Sequence, residues 1–190
     1  MRYPAVLEKA FSDRPCFTLA EARRVLQGAS AGYARLLLHN LAMRGRLHRI
    51  TKSAYSFKDE PQVVGFAFPP FYYGLQDALS LHGAWEQETN PVVLTVRKVR
   101  EGVRSFGGAN YVVTRIPRRL FFGFESMPYA GFWIPVSTLE KTVADFAYFR
   151  QNVPREALAE IRPRLDPRRL KEALARLPKA AALRARKMLA

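Results

Sequence analysis

The sequence predicts an α+β protein in which a small helical domain with a β-hairpin precedes a larger domain of helices and strands. Three observations support this fold class. Capping signals precede apolar stripes of helical spacing near the N-terminus, Val-rich runs bounded by Pro or Gly occupy the middle, and further helical patterns end the chain. Since 48% of the 190 residues are hydrophobic, the chain can form one or two domains with real cores.

Two short helices are expected at the start of the chain. Residues 4–11 place apolar side chains at helical spacing. Thr18 and Glu21 have the spacing of a capping box, in which the Thr18 hydroxyl accepts a backbone amide of the first turn and Glu21 reaches back to the Thr18 amide. We expect this second helix to run through Leu26 and to end at Gly28.

A third helix and a hairpin complete the first predicted domain. Ser30 is a candidate N-cap, and Gly45 ends the helical pattern. The apolar stripe of this helix is formed by Ala34, Leu37, Leu38 and Leu41. Residues 47–50 and 54–57 are typical of two short strands joined by a basic turn. Three helices followed by such a hairpin predict a winged helix-turn-helix.

This arrangement predicts contacts with double-stranded DNA, because the third helix of a winged helix enters the major groove and the hairpin lies along the backbone or the minor groove. The residues expected at DNA are Ser30, Tyr33, Arg35, His39, Arg46, Arg49 and Lys52. Ser30, Tyr33 and Arg35 would face bases, Arg46, Arg49 and Lys52 would lie near phosphates, and His39 is a further candidate contact on the same helix. The alternative is that these side chains only solvate the surface, since helix-turn-helix patterns also occur in protein-interaction domains.

The second predicted domain begins after a polar break that contains Pro61, which sets the expected domains at residues 1–60 and 61–190. Residues 71–82 have apolar side chains on one helical face and predict a helix. The segments expected to be extended are residues 92–96, 111–116 and 131–134.

A long helix and a set of basic helices are expected after these strands. Ser137 and Glu140 have capping-box spacing and predict a helix through Tyr148, on which Lys141 and Asp145 would form an ordinary surface pair. Later in the chain, an Asp-Pro pair at residues 166–167 is typical of a helix start. The C-terminal helices that follow are basic.

The charge distribution favours a polyanionic partner. The formal net charge is +15, with 11 Lys and Arg against 5 Asp and Glu in residues 1–60 and 11 against 4 in residues 151–190. Such a field attracts nucleic acids.

The middle of the chain is nearly balanced but contains a run of cations interleaved with aromatic residues, which predicts a surface for a partner or a nucleic acid. The run consists of Arg97, Lys98, Arg100, Arg104, Arg115, Arg118 and Arg119. A solvated sheet edge is the alternative interpretation.

Several functional classes are disfavoured by the sequence. A single cysteine, Cys16, and three scattered histidines predict neither a disulfide nor a metal site. No cofactor or catalytic residue is expected, because phosphate loops, nucleophile elbows and paired metal-binding carboxylates are missing from the sequence. The N-terminus lacks a signal-peptide pattern and no run is apolar enough to span a membrane, so we expect a cytoplasmic protein without membrane contacts.

The order of these motifs resembles the AbiEi family of type IV toxin–antitoxin antitoxins and regulators of viral defence. The resemblance covers most of residues 1–150 and rests on residues 73–83 (YGLQDALSLHG), 93–96 (VLTV) and 134–145 (IPVSTLEKTVAD). It implies an autorepressor that binds its own operator through the winged helix. It also implies an antitoxin-like C-terminal domain that opposes a nucleotidyltransferase-like toxin without being an enzyme.

Two other functions remain open at this point. A regulator without a toxin would use residues 71–82 and the neighbouring strands for ligand sensing or dimerisation. A nucleic-acid-processing enzyme would instead carry divergent catalytic carboxylates in the basic C-terminal half.

Overall fold

The computed structural model describes residues 3–27 and 29–190 and shows a mixed α+β chain with two separate sheets. The chain divides into two compact units. The first unit comprises residues 1–69 and 104–111, and the second comprises residues 70–103 and 112–190. The predicted boundary after residue 60 therefore precedes this division, and the first unit also takes a segment from the middle of the sequence.

The first unit is built from three helices and a small antiparallel sheet. In chain order, its elements are α1 (Tyr3–Phe11), β1 (Phe17–Thr18), α2 (Leu19–Val25), α3 (Ala31–Met43), β2 (His48–Arg49) and β3 (Ala54–Ser56). The strands pair in the order β1-β3-β2. The hydrophobic core of this unit includes Leu7, Phe17, Leu26, Leu38 and Leu47.

The predicted helix starts of this unit are confirmed. Thr18 and Glu21 form the capping box at α2, and the Ser30 hydroxyl accepts a hydrogen bond from the Tyr33 amide at the start of α3. Gly45 follows α3 with a φ of 68°, a backbone conformation that glycine adopts readily. The expectation for Gly28 lies outside the described residues.

Two further segments complete the core of the first unit. A 3₁₀ segment, Pro61–Ala67, buries Val63 and Val64 completely. In residues 104–111, the Tyr111 hydroxyl donates a 3.1 Å hydrogen bond to the Ile50 carbonyl, and burial raises the pKa of Tyr111. These contacts explain why residues 61–69 and 104–111 belong with the N-terminal helices.

The second unit contains five α-helices and most of a six-stranded mixed sheet, of which residues 104–111, in β6 and β7, belong to the first unit. The strands are β4 (Phe71–Tyr73), β5 (Val92–Thr95), β6 (Gly102–Phe106), β7 (Ala109–Arg115), β8 (Phe124–Tyr129) and β9 (Phe132–Ser137), in the order β6-β7-β5-β4-β9-β8. The helices are α4 (Leu75–Leu81), α5 (Leu139–Tyr148), α6 (Arg155–Ile161), α7 (Pro167–Ala175) and α8 (Lys179–Leu189). Neighbours β5 and β7 are parallel, as are β4 and β9.

The predicted helix over residues 71–82 is wrong in its first part, which forms β4. The side chains of Phe71–Tyr73 are all buried, and this strand pairs with both β5 and β9. Gly74 follows the strand as the N-cap of α4, and a Cβ at this position would approach Leu94 Cδ1 to 2.5 Å, so the Leu94 side chain would have to shift. The helical pattern is confirmed only for α4.

The centre of the second unit is α5, which contacts α4, α7, α8 and β9. The expected end of this helix at Tyr148 is confirmed, and so is the N-cap Asp166 with Pro167 in the first turn of α7. Strand β5 also lies where it is expected. Among residues 3–27 and 29–190, no helix has the length and apolar character needed to cross a membrane.

Candidate nucleic-acid interface

Helix α3 presents a broad exposed face opposite its buried stripe. Ala34, Leu38 and Leu41 are buried, whereas Tyr33, Arg35 and His39 are exposed. The amino-acid sequence of this helix contains no Asp or Glu. Its polar face can therefore approach a polyanion without a repelling carboxylate of its own.

Ser30 and Tyr33 already have partners within the first unit. The Ser30 hydroxyl accepts the Tyr33 amide at 3.1 Å, and the Tyr33 ring packs edge-on against Tyr3 at a centroid distance of 5.4 Å. Tyr33 is nevertheless 42% exposed. The packing against Tyr3 holds the Tyr33 side chain at the N-terminal end of α3, and a recognition helix reaches base edges from this end.

The three basic residues predicted near phosphates differ in their environments. Arg46 forms an ion pair with Glu8 of α1, so part of its charge is neutralised inside the unit. Arg49 donates from Nε to the Thr51 carbonyl at 3.0 Å and thereby lies along the turn of the β2–β3 hairpin. Lys52 is exposed at the tip of that turn. Arg49 and Lys52 are thus the hairpin cations best placed for an anion.

Three exposed residues of α3 extend the predicted face. Leu36 and Met43 are 56% and 74% exposed, and Asn40 is also exposed. Helical periodicity indicates them, because residues three, seven and ten positions after Tyr33 share its side of the helix. Apolar side chains at such positions suit thymine methyl groups, and asparagine can pair with adenine through two hydrogen bonds.

The structure separates the predicted run of seven cations. Arg104 belongs to the first unit, where its guanidinium lies 5.1 Å from the centre of the Phe68 ring. The other six belong to the second unit and are exposed. Five of them lie at or just after the carboxyl ends of the parallel strands β5 and β7 and form what we call the strand-end basic surface: Arg97, Lys98, Arg115, Arg118 and Arg119.

The expected surface pair of Lys141 and Asp145 is instead completely buried. Their side chains are 1% and 0% exposed, and they form an ion pair with each other. Asp145 also accepts a 2.9 Å hydrogen bond from the Tyr72 hydroxyl of β4. The surface interpretation is wrong because α5 is covered on all sides, and two residues four positions apart meet equally well inside a protein.

Burial shifts the pKa values of this cluster. Desolvation lowers the pKa of Lys141 and raises that of Asp145, while the attraction between the two charges opposes both shifts. Desolvation also raises the pKa of Tyr72 well above its usual range, and the nearby Asp145 carboxylate adds to this shift. The Lys141 ammonium lies 4.8 Å from the centre of the Phe122 ring, which further supports its charge.

The capping box expected for Ser137 and Glu140 is wrong, because the N-cap of α5 lies one residue later. Thr138 is the N-cap of α5, and its hydroxyl accepts the Lys141 amide at 3.3 Å. Glu140 is buried and accepts a 2.9 Å hydrogen bond from the backbone amide of Asp166, the residue that precedes α7. The polar residues of this segment therefore connect α5 to β4 and α7.

A cavity of about 180 Å³ lies beside the first turn of α5. Its charged lining residues are Lys141, Arg169, Arg176, Glu125, Glu140 and Glu172. Arg169 pairs with Glu125 at 2.7 Å, and the Arg176 guanidinium lies 4.4 Å from the centre of the Phe122 ring. Because positive and negative groups are balanced, the lining favours a small polar molecule over a highly charged one.

The part of the chain that the structure describes brings no three His, Cys, Asp or Glu side chains together as a metal site. No protein-family model matches the sequence, and no curated protein matches it significantly.

Proposed function

We propose that the protein is a DNA-binding transcription regulator whose first unit is a winged helix-turn-helix. In this proposal α3 is the recognition helix and the β2–β3 hairpin is the wing. The observation that carries the proposal is the exposed, carboxylate-free face of α3, followed in the chain by the exposed cation of the hairpin turn, Lys52. A protein with net charge +15 would be steered toward DNA.

The roles within this interface follow from side-chain chemistry. Arg35 can pair with guanine through two hydrogen bonds, and Asn40 can do the same with adenine. Lys52 and Arg49 of the hairpin suit phosphate oxygens, which position the protein without reading sequence. Arg46 is the weaker phosphate ligand, since Glu8 already neutralises it.

A binding experiment with the protein's own promoter tests this proposal. Arg35→Ala should cost about 1–3 kcal/mol and relax the preference for promoter DNA, because a lost base contact affects specific binding most. Lys52→Ala should weaken binding to all sequences alike and reduce the slope of log K against log salt by about one. Fluorescence anisotropy over a salt series measures both quantities.

Lys9→Ala is the matched control, since it removes one exposed charge from α1 rather than from α3 or the hairpin. It should leave promoter specificity unchanged. Wild-type affinity in both the Arg35 and the Lys52 variants would refute the assignment of α3 and the hairpin.

For the second unit, we extend the proposal to antitoxin activity against a nucleotidyltransferase-like toxin, as the resemblance to the AbiEi family implies. The strand-end basic surface supports a contact role, because exposed clustered cations suit an acidic protein face or a nucleic acid shared with the toxin. Neutralisation of the toxin by contact requires no catalytic step in this chain. The expected partners are thus the operator DNA and the toxin.

Co-expression with the toxin encoded by a neighbouring gene tests the antitoxin activity. Charge reversal at Arg97, Arg115 and Arg118 should abolish growth protection if this surface makes the contact. Reversal of Lys179 on α8 is the control and should leave protection intact. Circular dichroism shows whether each variant is folded, and full protection by the folded triple variant would exclude this surface.

A regulator without a toxin is the second candidate function. The cavity beside Lys141 favours it, because a pocket of about 180 Å³ within the second unit could hold a sensed small molecule. The neighbouring genes discriminate between the two candidates. A nucleotidyltransferase-like reading frame favours the antitoxin, and its absence favours the sensor.

A further inference from the structure

A second cleft lies in the second unit, where the end of α5 meets α8. It has a volume of about 280 Å³ and is lined by Arg150, Gln151, Asn152, Arg184, Lys187 and Met188. Half of these residues are cations and none is acidic. Within residues 3–27 and 29–190, no carboxylate forms an ion pair with Arg150, Arg184 or Lys187.

Arg150 occupies a position that normally favours glycine. It follows the end of α5 with a φ of 58°, in the left-handed region. The Gln151 amide donates to the Phe146 carbonyl at 2.9 Å and the Arg150 amide to the Ala147 carbonyl at 3.4 Å, which is the hydrogen-bond pattern of a Schellman motif. An arginine here carries a conformational cost that glycine would avoid. That cost suggests a use for the side chain.

Arg184 and Gln151 are held in place by contacts with the rest of the second unit. Arg184 donates from Nε to the Ala147 carbonyl at 2.9 Å, which leaves the two terminal nitrogens of the guanidinium as donors for an anion. Gln151 accepts from Gln76 Nε2 through its Oε1 at 3.2 Å, so its Nε2 remains the donor group.

The helix dipole of α5 is a simpler reason for one cation at this end, since its last carbonyls carry partial negative charge. Arg184 already satisfies one of these carbonyls. The dipole does not explain a cavity lined by three cations from two separate segments, or an arginine retained in a left-handed conformation.

We propose that this cleft binds the phosphate group of a nucleotide, either free or within a nucleic-acid strand. The planar guanidinium groups of Arg150 and Arg184 suit phosphate oxygens, and Lys187 adds a third charge. Gln151 and Asn152 supply amide groups for a sugar or base, and Met188 supplies an apolar contact. The site is independent of α3 and would give the basic C-terminal helices a binding role.

Isothermal titration calorimetry of the full chain tests the proposal. The probes are adenosine 5′-monophosphate, adenosine without phosphate, and single-stranded oligothymidylate of about ten nucleotides. All proteins in this series also carry Arg35→Ala and Lys52→Ala, so that the proposed α3 interface contributes little. Saturable binding of the mononucleotide assigns a free nucleotide, whereas binding of the oligonucleotide alone assigns a phosphate within a strand.

Two variants and one control separate binding from folding. Arg150→Gly and Lys187→Ala should each weaken binding about tenfold or more, as expected for loss of one charge-assisted hydrogen bond. Arg150→Gly should keep or raise the melting temperature, because glycine accepts the left-handed backbone. Lys179→Ala removes a charge from the same helix outside the cleft and should bind like the parent protein.

Three results would overturn the proposal. The first is wild-type affinity in the Arg150 and Lys187 variants, which would leave these residues as helix-capping groups. The second is an equal loss in Lys179→Ala, which would indicate only general electrostatic attraction. The third is that the parent protein binds neither phosphate-containing probe, or binds adenosine equally well.

Discussion

Helices α3 and α5 begin with the same device and lie in opposite environments. Ser30 and Thr138 each cap the helix through a side-chain oxygen. Helix α3 then buries one narrow stripe and exposes most of its other residues, whereas α5 buries every residue from Leu139 to Ala147. The difference arises because α5 is surrounded by α4, α7, α8 and β9.

Polar residues on these two helices therefore have different structural roles. On α3, polar side chains are hydrated and available to a ligand. On α5, Glu140, Lys141 and Asp145 hold neighbouring elements together. In the second unit, the exposed cations that could meet an anionic ligand therefore lie outside this helix, at the strand-end basic surface and at the cleft between α5 and α8.

The largest effect is expected for Asp145→Ala. This change leaves the Lys141 ammonium buried without its partner and removes the acceptor for the Tyr72 hydroxyl, so we expect a loss of about 3–5 kcal/mol in unfolding free energy. Urea denaturation followed by tryptophan fluorescence measures this loss. Trp85 and Trp133, the two tryptophans of the chain, both belong to the second unit.

The double variant K141M/D145N sharpens this prediction. It removes both charges while Asn keeps an acceptor for Tyr72, so most of the lost stability should return. The exposed pair of Arg169 and Glu125 is the control, and Arg169→Ala should have no measurable effect. Equal losses of unfolding free energy at the buried pair and the exposed pair would contradict the expectation that only the buried pair contributes to stability.

A smaller effect is expected for Glu140→Ala. The amide of Asp166 loses its acceptor, which should cost about 1–3 kcal/mol and increase hydrogen exchange at the start of α7. Glu140→Gln retains an oxygen at the same place and should behave nearly like the wild type. If both variants exchange like the wild type, the contact does not hold α7.

Loss of the two N-caps should cost about 1 kcal/mol each, but in different units. Ser30→Ala should destabilise the first unit without changing the tryptophan transition, and Thr138→Ala should shift that transition. Ser30→Asn restores the cap and should restore stability. Nuclear magnetic resonance of the α3 amides reports the stability of the first unit. A shift of the tryptophan transition by Ser30→Ala would contradict the expectation that the two caps stabilise separate units.

The smallest change in stability at neutral pH is expected at Cys16, whose effect appears only in alkali. Burial raises the pKa of its thiol from 9.0 to about 12. The unfolded state therefore loses its proton first, and stability present below pH 9.0 should decline as the pH rises toward 12. At pH 8 the thiolate fraction should be about a thousandfold below that of a free cysteine, so iodoacetamide should react slowly.

The cysteine prediction has a direct check. Cys16→Ala should abolish this part of the alkaline decline and leave the neutral-pH melting temperature nearly unchanged. Alkylation of the folded protein as fast as of the urea-unfolded chain would show that the thiol is not protected.

Local structure could be predicted from the sequence where neighbouring residues determine it. The caps Thr18, Ser30 and Asp166 depend on hydrogen bonds within three residues, so their patterns are sufficient. Strand β5 was equally predictable because it is a short Val-rich run between polar and Pro-containing segments. The α+β class follows from such elements together.

The remaining features depend on distant parts of the chain. Residues 71–73 form a strand because β5 and β9 bury them on both sides, although their apolar spacing also suits a helix. The burial of Lys141 depends on Tyr72 and Phe122, which periodicity within α5 does not contain. The exposed face of α3 could be predicted from the sequence. The cleft with Arg150 could not, because it forms only when α8 lies beside the end of α5.

Because the first unit includes residues 104–111, its core is completed late in protein synthesis. Residues 1–69 leave the ribosome well before residue 111, whose hydroxyl completes the hydrogen bond to the Ile50 carbonyl. At bacterial-like rates of about 5–20 residues per second, this delay is roughly 2–8 seconds. During that interval the first unit lacks part of its core while strands of the second unit are already being made. Nascent chains therefore complete the core of the first unit only after β4, α4 and β5 have been synthesised.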